Sequence, residues 1–220
     1  IGFGTIFLKR GYSLQRTYAL SKLESAMMPA IQVGLLVLVV TAPAFIFFSQ
    51  KGPGAMHAPW LISLAAGLVV GGLSQVSRLC TVGGFRDLFL FKKSILIFGY
   101  LAVLIGVFVV NISFGNFHLG FENQPIAHTD GLWNFLGMAL AGFCSVLLGG
   151  CPLRQLIMTG EGNSDSAVTV LGLAAGAAFA HNFGLAATGA GPTLNGEIAV
   201  GVGFVVALII AILNTKRVNA

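Results

Sequence analysis

Charge is what this sequence has least of. Asp, Glu, Lys and Arg make up only 9% of its 220 residues, against about a quarter in ordinary soluble domains. A chain this poor in charge cannot cover a water-facing surface of its own size, which excludes a soluble enzyme and an ordinary nucleic-acid-binding domain. The formal charge of +5 comes from 12 Lys and Arg set against 7 Asp and Glu. These cations stand in short runs between apolar stretches, so they read as topology determinants and not as a nucleic-acid surface. Cysteine is scarce as well. Cys80, Cys144 and Cys151 are the only three, with no CxxC and no His/Cys ligand spacing, which excludes a disulfide framework and a zinc centre and implies no metal or cofactor. No phosphate-cradling, ATP-binding motif is present, so any transport is expected to be passive or ion-coupled. An initiator methionine and a signal-peptide pattern are missing too. Ile1–Leu8 is apolar but too short to span and runs into Lys9-Arg10. Residues 1–28 therefore read as the end of an upstream helix and a basic cytoplasmic or interfacial connector, and the chain as the C-terminal part of a longer protein.

What remains is apolar. Hydrophobic residues make up 56% of the chain, mean hydropathy is +0.90, and there are 30 glycines and 18 phenylalanines. A bilayer needs about 20 apolar residues per helical crossing. Six stretches qualify: 29–49, 61–77, 94–114, 132–148, about 167–187, and 198–213. Gly67 and Gly71 form a small-xxx-small pattern that predicts close packing of the second span. Ser164-Asp165-Ser166 supplies capping chemistry ahead of the fifth. Two segments, 79–91 and 151–159, are too short to cross and predict re-entrant helices, which a membrane tolerates only inside protein or beside water. The fold class expected is an all-α polytopic membrane protein, six transmembrane helices plus two short cysteine-bearing re-entrant helices, with the membrane domain over 29–220.

Both short segments carry chemistry. In Gly149-Gly150-Cys151-Pro152-Leu153-Arg154-Gln155-Leu156, proline suits the first position of a helix and leaves Cys151 at the N-cap. A thiol there faces the positive end of the helix dipole, which favours the thiolate. Arg154 and Gln155 follow one turn on, on the same face, and the three together suit a small anion. The stretch from Ser77 to Asp87, with Arg78, Cys80 and Arg86, is a second version of the device. Asp87 is expected to pair with Arg86 or another local cation. His181-Asn182, late in the fifth span, is expected to face the bundle interior or a water pathway. Cys144 lies in an uncharged span and reads as packing.

The two devices sit in a repeat. A Trp-started, Gly-rich span leads to a cysteine, a short Arg-bearing helix and another span, over about 60–114 and again over 133–187. Six alternating spans bring all the Lys and Arg except Lys51 to one side, which places the C-terminus and the cysteine helices at the cytoplasmic side. Parallel repeats with matching interruptions point to transport.

At these residues the chain resembles the YeeE/YedE sulfur-transport family of prokaryotic inner-membrane proteins. The two cysteine segments carry the resemblance, with Gly160-Glu161-Gly162-Asn163 and Ala180-His181-Asn182-Phe183-Gly184 most like the YedE branch, associated with selenium metabolism. The resemblance implies an hourglass in which short helices bring Cys80 and Cys151 to a central constriction, where thiols pass a sulfur oxyanion along. The function expected is import of a thiosulfate-like or selenium-containing anion through a cysteine-lined path formed by Cys80, Cys151, Arg154, Gln155, Arg78, Arg86, His181 and Asn182. The alternatives are a membrane thiol oxidoreductase or sulfur transferase, and a partner subunit that docks a soluble sulfur-carrier protein.

Overall fold

A computed structural model describes residues 1–14, 21–45, 55, 58–120 and 128–215. The expected positions of Arg16, Lys51, Lys216 and Arg217, and most of the loop at 50–59, lie outside the described residues. Those described form nine helices: α1 Gly2–Lys9, α2 Lys22–Thr41, α3 Trp60–Ser77, α4 Thr81–Phe91, α5 Ile95–Ser113, α6 Gly131–Leu147, α7 Pro152–Gly160, α8 Ser164–Asn182 and α9 Leu194–Leu213. Four helical segments are long and apolar enough to cross a membrane: 60–91, which joins α3 and α4, then α5, then 131–160, which joins α6 and α7, and α9. The chain is an all-α, multi-pass membrane protein by these lengths and compositions. Its exposed leucines, valines and phenylalanines along α3 and α5 then face lipid, which asks nothing of them in packing.

Each long helix that precedes a cysteine ends in the same way. At the end of α3, Arg78 N–H donates to Gln75 O and Leu79 N–H to Ser74 O, with Arg78 left-handed at φ +52°. At the end of α6, Gly149 N–H donates to Val146 O and Gly150 N–H to Ser145 O, with Gly149 at φ +82°. Both are Schellman closures, which satisfy the last carbonyls and turn the chain out of the helix. The extended residue that follows is Cys80 in one case and Cys151 in the other. The order long helix, cysteine, short helix, long helix thus occurs twice, as α3–α4–α5 and α6–α7–α8.

The short helices lie against the long helix that follows them, α4 on α5 and α7 on α8. They also exchange partners: α4 touches α6, and α7 touches α3. α1 seats on α4 and α6, and α9 covers α6. Two buried clusters result. Tyr12, Phe143, Leu147, Ala207 and Ala211 form one, and Cys80, Val82, Val146 and Cys151 form the other, with Ile1 and Leu8 packed against it.

Several boundaries differ from the sequence expectation. α2 begins at Lys22 and carries Pro29 inside it, so the helix that takes in the first expected span starts sooner. Asn163, not the Ser164-Asp165-Ser166 run, caps α8, its Oδ1 accepting from Ser166 N–H at 2.9 Å. Gly67 and Gly71 make no close approach, since a Cβ at either would meet nothing within 4 Å among the described residues. The tight glycines are elsewhere. A Cβ on Gly84 would lie 3.2 Å from the Ile97 nitrogen and 3.3 Å from the Leu96 carbonyl carbon, which is how α4 comes so near the start of α5.

Candidate functional site

Cys80 is the N-cap of α4 and Cys151 the N-cap of α7. Both are buried, with exposures of 6% and 5%, and neither is in a disulfide. The Cys80 sulfur accepts from Gly83 N–H at 3.2 Å, the usual N-cap bond with sulfur in place of oxygen. It also receives Cys151 N–H at 3.5 Å, across 71 residues of sequence. The starts of the two short helices therefore meet at one sulfur atom. The pair is not symmetric, because the Cys151 side chain makes no cap bond to its own helix. Pro152 supplies the first turn of α7 with a residue that has no N–H to satisfy.

Gln155 sits one turn along α7 and is 3% exposed. Its amide Nε2 donates to Leu148 O at 3.0 Å, so it pins the corner between α6 and α7. Arg154 reaches forward to Glu161, Nη2 to Oε2 at 3.4 Å. Its other amino group, Nη1, is buried with no hydrogen-bond partner among the described residues. A buried guanidinium N–H without an acceptor is uncommon, and it suits an oxyanion. Glu161 is the contact the sequence reading missed. Its only signal was an acid in the turn just past the end of α7.

The other expected residues fall into three places. Arg86 pairs with its neighbour Asp87, Nε and Nη2 each 2.9 Å from Oδ1, two turns from Cys80. Arg78 is exposed at the corner before Cys80. His181 and Asn182 are exposed at the far end of α8, where Asn182 Nδ2 donates to Ala178 O of its own helix at 2.8 Å. The structure does not bring those two to the cysteine pair. Cys144 is half-buried and packs on the cluster around Tyr12.

Sequence reasoning also missed Leu8 and Val146, two apolar residues packed with the cysteines. Beside that cluster is a partly open cavity of about 620 Å³. Its polar lining includes Ser13 after α1, Arg86 on α4, Gln155 on α7, and Asn163, Asp165, Ser166 and Thr169 at the start of α8.

No solved structure matches the chain. The thiosulfate transporter TsuA of Escherichia coli strain K12 is 30% identical over 111 residues, a stretch that takes in 49% of this chain and 30% of that relative's length. A family model described as sulphur transport matches residues 76–216, from the last turn before Cys80 to beyond α9. That match spans more than half of the sequence and both cysteine helices, so the chain belongs to the sulphur transport family.

Proposed function

We propose that the chain moves a small sulfur oxyanion of the thiosulfate type, or its selenium counterpart, across the membrane along a path that passes Cys80 and Cys151. The observation that carries the reading is the meeting of the two short-helix starts at the Cys80 sulfur. Helix starts present N–H groups and positive dipole ends, which favour an anion. Two thiols at the same point add soft donors that match the terminal sulfur of such an anion. Arg154 contributes the buried amino group that has no acceptor of its own, and the relative's thiosulfate is of the fitting size and charge.

In this reading α4 and α7 are re-entrant parts of a two-fold repeat. The six long helices other than α1, namely α2, α3, α5, α6, α8 and α9, cross the inner membrane. The ends bearing Lys9, Arg10, Lys92 and Lys93 face the cytoplasm, as cation-rich loops do.

Uptake of labelled thiosulfate and labelled selenite by cells expressing the full-length protein tests the proposal. Wild type should accumulate at least one of them. Cys80→Ala and Cys151→Ala should accumulate neither while remaining in the membrane at wild-type abundance. Wild-type uptake by both variants would remove the cysteine path.

A further inference from the structure

The cavity and the cysteine pair are separated by a wall one side chain thick. Leu8 and Val146 pack against Cys80 and Cys151 on one side and line the cavity on the other. Gln155 completes the wall, since it lines the cavity while its amide is bonded across the corner just before Cys151. Neither cysteine lines the cavity. The cavity lies where α1 has finished in Lys9 and Arg10 and the chain passes through Ser13 and Leu14, and where α7 turns into α8. It therefore leads from the cysteines towards the end of the bundle that carries those cations.

We propose that this cavity is the chamber a solute enters after the cysteine pair, and that Leu8, Val146 and Gln155 form the gate between them. The gate rests on the proposed path through Cys80 and Cys151. Its parts suit a shutter. Val146 is 1% exposed and gives an apolar seal. Gln155 closes the corner with one neutral hydrogen bond to Leu148 O, which water or a passing solute can readily exchange. The chamber beyond is poorly suited to holding an anion. Arg86, the cation in its lining, is neutralised by Asp87. An anion that passes the gate meets weak attraction and leaves.

The test reads thiol accessibility and needs no transport. Membrane vesicles holding the full-length protein with its Lys9–Arg10 face outward are treated with a small, impermeant, anionic methanethiosulfonate, and each cysteine is followed by peptide mass spectrometry. In wild type Cys80 and Cys151 should react slowly. Val146→Ala and Gln155→Ala should each speed their reaction by about tenfold, because a thiol reacts according to its exposure, with Cys144 unchanged. Val168→Trp, placed on an exposed cavity residue, should reverse much of that gain. If neither substitution changes the rate in protein that melts as wild type does, or if Cys144 speeds up equally, the gate is overturned. Loss of the gate with uptake still dependent on Cys151 would leave the cysteine path standing. Opening of the gate in a protein whose uptake ignores both cysteines would reject the path instead.

Discussion

Arg78 and Gly149 adopt the same left-handed backbone, at φ +52° and +82°, each two residues ahead of its cysteine. Glycine is at ease there. Arginine is not, and the conformation costs an L residue with a side chain roughly 1 kcal/mol. One copy of the corner thus has the residue the backbone prefers, and the other has a cation in its place.

Arg78→Gly should therefore preserve the corner and raise the thermal midpoint of the purified protein by a few degrees, the shift expected for about 1 kcal/mol. Uptake should fall if the guanidinium serves the solute. A lower midpoint would show that the Arg78 side chain stabilises the fold by contacts that outweigh its strain.

Cys80 and Cys151 should not be equivalent in stability. The Cys80 sulfur accepts two buried N–H groups, and Cys151 caps nothing. Cys80→Ala leaves both donors unsatisfied and should lower stability by about 1–3 kcal/mol. Cys151→Ala should cost less than half of that. Thermal unfolding of the two variants in one detergent ranks them, and equal losses would contradict the hydrogen-bond assignment.

Arg154 shares its charge with Glu161 at 3.4 Å. Glu161→Gln should release the guanidinium and lower the concentration of oxyanion that half-saturates uptake, by several-fold. Arg154→Lys should raise it, since an ammonium cannot reproduce the planar pair of donors. Concentration series for uptake by both variants check the two directions together.

Gly84→Ala should disturb the seat of the first cysteine helix. Its Cβ would press on the Ile97 nitrogen at 3.2 Å and the Leu96 carbonyl carbon at 3.3 Å, and backbone does not rotate away. The cost is expected in the 1–3 kcal/mol range of overpacked cores, with Cys80 displaced along with α4. Gly67→Ala, which meets nothing within 4 Å among the described residues, is the matched control and should leave the midpoint where it was.

Tyr12 carries a buried hydroxyl with no partner among the described residues. Burial, and secondarily the nearby Cys144, push its pKa up to about 12, so the phenol stays protonated through any working pH. Tyr12→Phe removes a desolvated group and leaves the ring packed on Phe143 and Leu147. It should be neutral or stabilising by up to about 1 kcal/mol. A clear loss of stability would reveal a partner for the hydroxyl.

Much of this architecture is legible in the residues. Gly149-Gly150 before Cys151-Pro152 announces a helix end and a new start, because those residue types fit those positions and few others. What escapes is whatever depends on a neighbour far along the chain. Gly67 and Gly71 permit a close approach, but permission does not supply a partner, and α3 leaves them on an open face. Polar His181 and Asn182 suggest an interior. Asn182 instead satisfies itself on the Ala178 carbonyl, which frees it from needing one. Pro29 suggests a boundary, yet it lies inside α2, as proline can in membrane helices. Nothing local told that one cysteine's N–H would end on the other's sulfur.

The exchange of partners between α3–α4 and α6–α7 bears on how the protein is made. α4 ends at Phe91, but α6, on which it rests, is complete only at Leu147. During synthesis the first short helix is therefore expected to rest on α1 and α5 alone until the second half arrives. A delay between the two halves, or their expression as separate fragments, would leave the earlier cysteine open to oxidation and quality control.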